Sequence, residues 1–396
     1  MIVLSWLIAG IALWLMLPVA SDLISLMVLP FRRKAEGEGV EATSEQHGRF
    51  LFLVPAHDEG AGIQPCVTSL LKMDYPAHLR TVVVIADNCS DDTADFAEAA
   101  GATVLVRNDP ELRGKPRALE WALRELDLSS QDAVVIIDAD TVVEADLARH
   151  LARKGSWSGR SGQVYCGVSN RSENALTRMA MVFANLRYHF SFPLKEAAGL
   201  NIPLQGNGMV FGADLLEERG WDAFSICEDW EMYALLTVDG VATVGCPEAR
   251  ALAQEASTLE QSNSQRQRWA AGQITVLWRY AWPILRSGIG PRQKLDLMAE
   301  LTHLGPAAHL AVVVLLSAFV LILGLPGSTA LLVALWIPVA RIGVYTLLAL
   351  RLEERPMRVL ASFLYLPFYA VWRLVVQITS LSMLGDKPWI RTQRST

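Results

Sequence analysis

Acidic and basic side chains recur in this chain at spacings that could do chemistry together. Asp87 opens the run Asp87-Asn88-Cys89-Ser90-Asp91-Asp92-Thr93, and Asp138 and Asp140 are spaced as DxD. Glu228 and Asp229 sit side by side in Ile226-Cys227-Glu228-Asp229-Trp230-Glu231, and Gln265, Arg268 and Trp269 follow as QxxRW. Two carboxylates two residues apart at a turn reach one divalent cation, for which a pyrophosphate is a natural partner. The same pair also suits a plain turn, since short Asp pairs favour turns, and Asp91 equally suits the N-cap of a following helix.

The elements that must hold these groups read as alternating strands and helices. Phe50 to Val54, Thr81 to Ile85, Thr103 to Val106 and Ala133 to Ile137 are short β-branched runs bounded by Gly, Pro, Asn or Asp, as buried parallel strands are. Gly62 to Met73, Asp91 to Ala100 and Pro116 to Leu126 carry helical periodicity between them. A doubly wound α/β sheet is the expected fold, with ligands beyond the carboxyl ends of its strands. The acidic motifs fall there: Pro55-Ala56-His57-Asp58-Glu59-Gly60 after the first strand, Asp87 after the second, Asp138 and Asp140 after the fourth. No GxGxxG follows the first strand, which disfavours a dinucleotide site.

Composition sets the surroundings. Of 396 residues 52% are hydrophobic and 19% charged, and the formal net charge is −6. That excludes a disordered or collagen-like chain, and a nucleic-acid partner would need a basic surface instead. The five cysteines form no CxxC pair, so neither a disulfide framework nor a zinc site is indicated. Residues 2–29, 301–323, 329–350 and 359–384 are apolar and long enough to cross a hydrocarbon core, so the chain reads as a membrane protein. The first reads as an anchor. Phe31-Arg32-Arg33-Lys34 after it places the polar region in the cytoplasm by the positive-inside rule, with the N-terminus outside. Arg351, Arg355 and Arg358 then make 301–350 a membrane hairpin. A crossing by 359–384 would put Lys387, Arg391 and Arg394 outside, against the rule, and Arg373 lies in its middle, so an interfacial or re-entrant segment is expected there. The stretches Ile274 to Leu285 and Asp296 to Leu301 mix Trp278, Arg279 and Trp282 with aliphatics, which suits either a membrane surface or packing on the soluble domain.

Taken in order, a strand-end Asp, DxD, ED and QxxRW ahead of a membrane hairpin resemble the membrane-integrated family 2 glycosyltransferases, the group of the cellulose, hyaluronan, chitin-oligosaccharide and poly-N-acetylglucosamine synthases. The motifs cover about residues 48–280. The resemblance implies an anchor at 1–30, a GT-A (Rossmann-like α/β) domain at 48–272, interfacial helices at 273–300, a transmembrane or interfacial region at 301–384 and a basic tail at 385–396. It implies that Asp87 contacts the uracil, with Pro55 and Glu59 in the nucleoside-binding turn. Lys115 resembles the basic residue facing the diphosphate, Asp140 the metal ligand, with Asp138 beside the ribose or donor sugar. Asp229 resembles the catalytic base. Gln265, Arg268 and Trp269 match QxxRW, whose Arg binds the pyrophosphate and whose Trp stacks on the acceptor. Gln205-Gly206-Asn207-Gly208-Met209 occupies the stretch where those synthases carry their acceptor-contacting segment and resembles instead a bacterial subgroup of similar length from surface-polysaccharide pathways, which implies Asn207 at the acceptor, as QxxRW implies for Gln265.

Elementary chemistry agrees with these roles. A sugar hydroxyl attacking an anomeric carbon needs a carboxylate base, and Asp229 can supply it. The departing nucleoside diphosphate gains charge that Mg²⁺ or Mn²⁺ on Asp140, with Arg268 and Lys115, would offset. The expectation is an inverting, membrane-bound hexosyltransferase using a UDP-sugar and a lipid-linked or membrane-proximal saccharide acceptor, in a bacterial inner membrane. Its alternative is a processive synthase extruding a β-linked polymer, with biosynthetic or export partner proteins.

Overall fold

A computed structural model describes residues 1–35 and 47–384, so the basic tail at 385–396, with Lys387, Arg391 and Arg394, lies outside the described residues. The first apolar stretch is two helices, α1 (Ile2–Leu15) and α2 (Leu17–Ala35), meeting at 45°. Pro18 stands at the junction and has no N–H to give the preceding turn, which is why the apolar stretch becomes a bent pair.

From residue 50 the expected alternation is found. β1 (Phe50–Ala56), α3 (Ile63–Leu71), β2 (Arg80–Asp87), α4 (Thr93–Ala99), β3 (Thr103–Arg107), α5 (Lys115–Glu125) and β4 (Ala133–Ile136) follow one another, with β1 parallel to both β2 and β4, and β2 parallel to β3. Both faces of this half are covered, which explains the unbroken hydrophobic runs. Phe50, Phe52 and Val54 join Ile63, Val67 and Leu70 of α3 on one side, while Leu51 and Leu53 join Ala118, Leu119 and Ala122 of α5 on the other.

The other half departs from a doubly wound parallel sheet. After β5 (Thr141–Val143), α6 (Leu147–Arg153), β6 (Ser161–Val168), α7 (Ala175–Leu186) and α8 (Phe192–Ala197) comes β7 (Met209–Gly212), which runs antiparallel between β4 and β6. Then α9 (Ala213–Arg219), α10 (Glu228–Val238) and β8 (Thr243–Ala253) complete a mixed eight-stranded sheet in the order β3-β2-β1-β4-β7-β6-β8-β5. Because β7 starts where β4 ends, with Ile136 opposite Met209, the loop at 205–208 is delivered to the Asp138-Ala139-Asp140 turn.

α11 (Leu259–Arg286) is one helix of 28 residues, so QxxRW and the stretch 274–285 share a single rod through position 272. Val276 and Ile284 enter the domain core, while Trp278 is 83% exposed and Trp282 59% exposed on the other side. One face of that stretch thus packs on the domain, and the opposite face leaves its tryptophans exposed. α12 (Pro291–Leu301) lies on the same core through Leu297 and Leu301, then turns through 84° at Gly305-Pro306 into α13 (Pro306–Ile322). α14 (Ser328–Leu350), α15 (Pro356–Ser362) and α16 (Leu366–Ser380) follow. By length and composition Ser328–Leu350 and Pro356–Met383 could each cross a membrane, and the two bent pairs bring the number of candidate spans to four among the described residues.

Ile8, Ala12 and Leu15 of α1 pack with Val313 and Val320 of α13 and Leu331 and Leu335 of α14. The charge that interrupts the first apolar stretch is matched: Arg341 Nε donates to Asp22 Oδ2 at 2.6 Å, Arg341 Nη2 to Oδ1 at 3.2 Å, and the Tyr345 hydroxyl to Oδ2 at 2.7 Å. Lys195 of α8 forms a second clasp, buried, on Asp296 and, at 3.0 Å, on Glu300 of α12, with Ser21 of α2 donating to Asp296 at 2.5 Å.

Candidate active site

Four pieces of chain meet beyond the carboxyl end of β4: the DxD turn, the start of α5, the 205–208 loop and the N-terminus of α10. Lys115, the first residue of α5, joins them. Its ammonium donates to Asp138 Oδ1 at 2.6 Å and to the Gly206 carbonyl at 2.5 Å, and lies 3.4 Å from Glu228 Oε1. Burial pulls its pKa down, but Asp138 and Glu228 outweigh that and hold the ammonium charged well above its ordinary range. Pro116 at the next position suits the first turn of a helix, where its missing N–H costs nothing.

Asp229 occupies the first turn of α10, and its Oδ1 accepts the Trp230 N–H at 2.9 Å. Burial, then the neighbouring Glu228 carboxylate, push its pKa up to about 7. Gly206 faces it: a Cβ there would lie 3.4 Å from Asp229 Oδ2, and the φ of +75° is one that side chains resist. The 205–208 loop thus brings bare backbone up to the carboxylate.

Asn207 is 8% exposed and both ends of its amide are engaged. Its Oδ1 accepts the Asp138 N–H at 3.1 Å and its Nδ2 donates to Thr141 Oγ1 at 2.8 Å. Thr141 in turn donates to Asp140 Oδ1 at 3.3 Å, and Gln163 holds the loop from beneath through the Asn207 carbonyl at 2.7 Å and the Gln205 N–H at 2.9 Å. The structure therefore turns the Asn207 side chain toward the DxD turn, a different surrounding from the acceptor face on which the sequence resemblance puts it. Gln205 accepts from Arg187 of the segment linking α7 to α8.

At the end of β2, Asp87 is 5% exposed. Its Oδ1 accepts Arg107 Nη1 at 2.6 Å and Asn88 Nδ2 at 2.9 Å, and its carbonyl meets His57 Nδ1 at 2.7 Å. Pro55 lies within β1, and the Glu59 N–H donates to Thr93 Oγ1 at 2.8 Å. Asp92, one residue beyond Asp91, is the N-cap of α4, and Asp91 instead accepts the Thr93 N–H at 3.1 Å. His57, Asp58 and Cys89 bring one ligand atom each within 4.8 Å of one another. Asp58 Oδ1 there accepts the Ser90 N–H at 2.6 Å, which closes the β1 loop against the β2 loop.

Gln265, Arg268 and Trp269, at i, i+3 and i+4, share one face of α11. That helix presses on the α10 N-terminus. Cys227 Sγ lies 3.8 Å from the Arg268 carbonyl and 3.7 Å from that of Trp269, and Arg268 and Asp229 are both among the charges acting on Cys227. Approach this close needs Gly272, where a Cβ would stand 2.3 Å from Cys227 Sγ. Glu231 ties the same helices together through Arg279 at 3.2 Å and the Tyr280 hydroxyl at 2.7 Å. Trp269 is 40% exposed with the Arg266 guanidinium 4.7 Å over its ring.

Glu228, Arg107, Asn207 in its observed surroundings and Gln163 are the residues that reading the sequence did not place. Arg107 ends β3, so the rule that strand ends carry the site could have found it. Asn207 and Gln163 meet their partners through the pairing of β7 with β4 and β6, and Glu228 meets Lys115 across more than a hundred positions, so no local signal exists for them. As for a divalent ion, Asp138 and Asp140 offer hard oxygen donors on one turn, suited to Mg²⁺ or Mn²⁺ shared with a phosphate-bearing ligand.

The model of a family described as "Glycosyltransferase like family 2" matches residues 47–272. Among curated proteins, a beta-monoglucosyldiacylglycerol synthase of Trichormus variabilis is 28% identical over 255 residues, 62% of this chain and 53% of the relative. A poly-beta-1,6-N-acetyl-D-glucosamine synthase of Staphylococcus epidermidis is 26% identical over 270 residues, 65% of this chain and 62% of the relative. The chain thus aligns with between half and two thirds of these relatives' length. Among solved structures, the mannosyltransferase PcManGT from Pyrobaculum calidifontis, in complex with GDP-Man and Mn²⁺, superposes with a TM-score of 0.52 at 20% identity, covering 92% of this chain and 99% of that one. The GT-A fold implied by the sequence resemblance is shared with that structure.

Proposed function

The chain belongs to the family 2 glycosyltransferases, and on that premise we propose that it transfers a hexosyl group, with inversion, from a UDP-sugar to a lipid-linked or membrane-proximal saccharide acceptor. One observation carries the reading: Lys115 draws Asp138, the Gly206 carbonyl and Glu228 together beside Asp229, so a cation, the DxD turn and a raised-pKa carboxylate border one cleft.

Asp229 is the base in this account. Its ionised form accepts the proton of the attacking acceptor hydroxyl as that oxygen bonds to the anomeric carbon. The bond to the nucleoside diphosphate breaks on the opposite side, which inverts the centre. Negative charge builds on the leaving phosphates, and Lys115 and Arg268 are the side chains assigned to meet it. Asp140 and Asp138 would hold Mg²⁺ or Mn²⁺, which when bound supplies further charge stabilisation to the diphosphate. Pro55, Glu59 and Asp87 border the nucleoside end, where Arg107 fixes the Asp87 carboxylate. Asn207 is assigned a positioning role on the DxD turn. Gln265 and Trp269 offer an amide and an open ring face to the acceptor sugar.

The proposed setting is a membrane with the catalytic domain on its cytoplasmic side. α1, α13 and α14 pack on one another away from the sheet. The segment Pro356–Met383 differs. Arg178 Nη1 donates to Ser362 Oγ at 3.4 Å, Phe183 meets Phe363 edge-on at 6.1 Å, and Gln267 Nε2 donates to Thr379 at 2.8 Å. A helical stretch of 28 residues is about 42 Å long. Its contacts with the catalytic domain at Ser362, Phe363 and Thr379 support the interfacial arrangement over a crossing.

The test is to incubate membranes carrying the full chain and Mn²⁺ with a panel of radiolabelled UDP-sugars and separate lipid-extractable from polymeric product. UDP release with one donor and label in the lipid extract is the expected result. Label confined to polymer would select the processive alternative, and no UDP release from any donor would overturn the reading.

A further inference from the structure

Arg373 is the unusual residue of the apolar C-terminal region. It stands on α16, whose Val371, Val375 and Ile378 are exposed and apolar, yet its own guanidinium turns inward. Arg373 Nη1 is buried and has no hydrogen-bond partner. Its charged neighbours are Arg266 and Glu255, and Glu255 is already committed to Arg266 at 2.5 Å. One turn further along α16, Gln377 Oε1 is likewise buried and unpartnered. At the corner between α12 and α13 the guanidinium comes close to the Gly305 backbone, where a Cβ would stand 3.8 Å from Arg373 Nη2. Two guanidinium groups thus face one carboxylate, with a buried donor and a buried amide oxygen unmatched, which is the chemistry that binds an anion.

We propose that Arg373, backed by Arg266 and Gln377, binds the phosphate group of an anionic lipid lying along α16. A planar guanidinium suits a tetrahedral oxyanion, and the Gln377 amide turned over offers N–H groups to the same oxygens. The exposed apolar edge of α16 accommodates the chain that carries the phosphate. Arg266 lies on α11 between Gln265 and Arg268, so the site borders the cleft assigned to the reaction. Two sources share this chemistry: a phosphate-linked carrier of the acceptor sugar, which rests on the transferase reading, and bulk anionic phospholipid, which does not.

Native mass spectrometry of the full chain in detergent, with dodecyl phosphate as the probe, tests this without turnover. The wild type should retain dodecyl phosphate in preference to phosphatidylcholine, Arg373→Gln should bind it about 10- to 100-fold more weakly, and Arg373→Lys should stay within a few-fold of wild type. Displacement by excess phosphatidylglycerol assigns the site to bulk phospholipid, and resistance to displacement assigns it to a phosphomonoester carrier. Equal binding by wild type and Arg373→Gln would overturn the proposal. So would a wild type that prefers phosphatidylcholine or neither lipid, a result that needs no variant to fold. UDP release is read in parallel. Arg373-dependent binding without UDP release refutes the transferase reading alone, and UDP release without such binding refutes this site alone.

Discussion

At the scale of single residues, the account turns on how surroundings divide labour among similar carboxylates. Asp138 is neutralised by Lys115, whereas Asp229 is pushed up by burial and Glu228 to about 7. A base must be ionised to act, so kcat/KM for the acceptor should rise with pH through about 7 and level off above it. A profile flat across that range would contradict the assignment. The same shift has a sign in stability. Between its ordinary 3.8 and about 7 the folded chain holds a proton that the unfolded chain has lost, so Asp229 makes stability fall as pH rises through that window. Asp229→Asn should remove that slope in thermal melts while lowering the rate about 10²- to 10⁴-fold. Asn207 gives a second test. Asn207→Ala strips partners from the Asp138 N–H and the Thr141 hydroxyl, which costs about 1–3 kcal/mol each if left unmet. It should raise KM for donor with KM for acceptor unchanged; the reverse pattern would restore Asn207 to the acceptor face.

At the scale of elements, the chemistry depends on helices held at fixed separations. α11 reaches the α10 N-terminus only because residue 272 has no side chain. Gly272→Ala should push the helices apart and lower kcat about 100-fold with the circular dichroism spectrum retained, since displacements near 1 Å cost that much. A wild-type rate would show that α11 does not set the geometry. The clasp from Lys195 to Asp296 and Glu300 fixes α8 to α12, and Lys195→Met leaves two carboxylates uncompensated in a buried place. A loss of about 3–5 kcal/mol is expected, measurable as a lower melting temperature in detergent. What the sequence made legible at this scale was the part governed by local pattern. The β-branched runs of β1 to β4 and the helices between them announced themselves, and so did the acids that follow each strand. The other half stayed hidden because β5 has 3 residues, β6 and β7 are interrupted by Gly162, Gly167 and Gly212 instead of running β-branched, and β8 contains Pro247. Glu228 was visible as half of a motif, but its bond to Lys115 joins residues more than a hundred positions apart, and the Asn207 bond to the DxD turn likewise exists only through strand order. α11 hid its unity because its membrane-like and domain-like faces alternate along one helix.

For the whole molecule, the arrangement is a transferase domain seated on helices long and apolar enough to cross a membrane. The proposed topology puts Thr379, and with it the end of α16, on the side of the catalytic domain. Cysteines introduced as Leu384→Cys and Ser129→Cys should then react together with an impermeant maleimide from one side of sealed vesicles, and Gly324→Cys, between α13 and α14, from the other. Labelling of Leu384→Cys with Gly324→Cys would mean that Pro356–Met383 crosses the bilayer. The motif helix and the apolar C-terminal helices meet, since α11 carries QxxRW and also contacts α12 and α16. The most direct measurement of the central claim is acceptor-dependent UDP release by wild type and Asp229→Asn at saturating donor and Mn²⁺, with donor binding followed separately. The account predicts a rate lower by about 10²- to 10⁴-fold with UDP-sugar affinity preserved. An Asp229→Asn enzyme that turns over at the wild-type rate would contradict it.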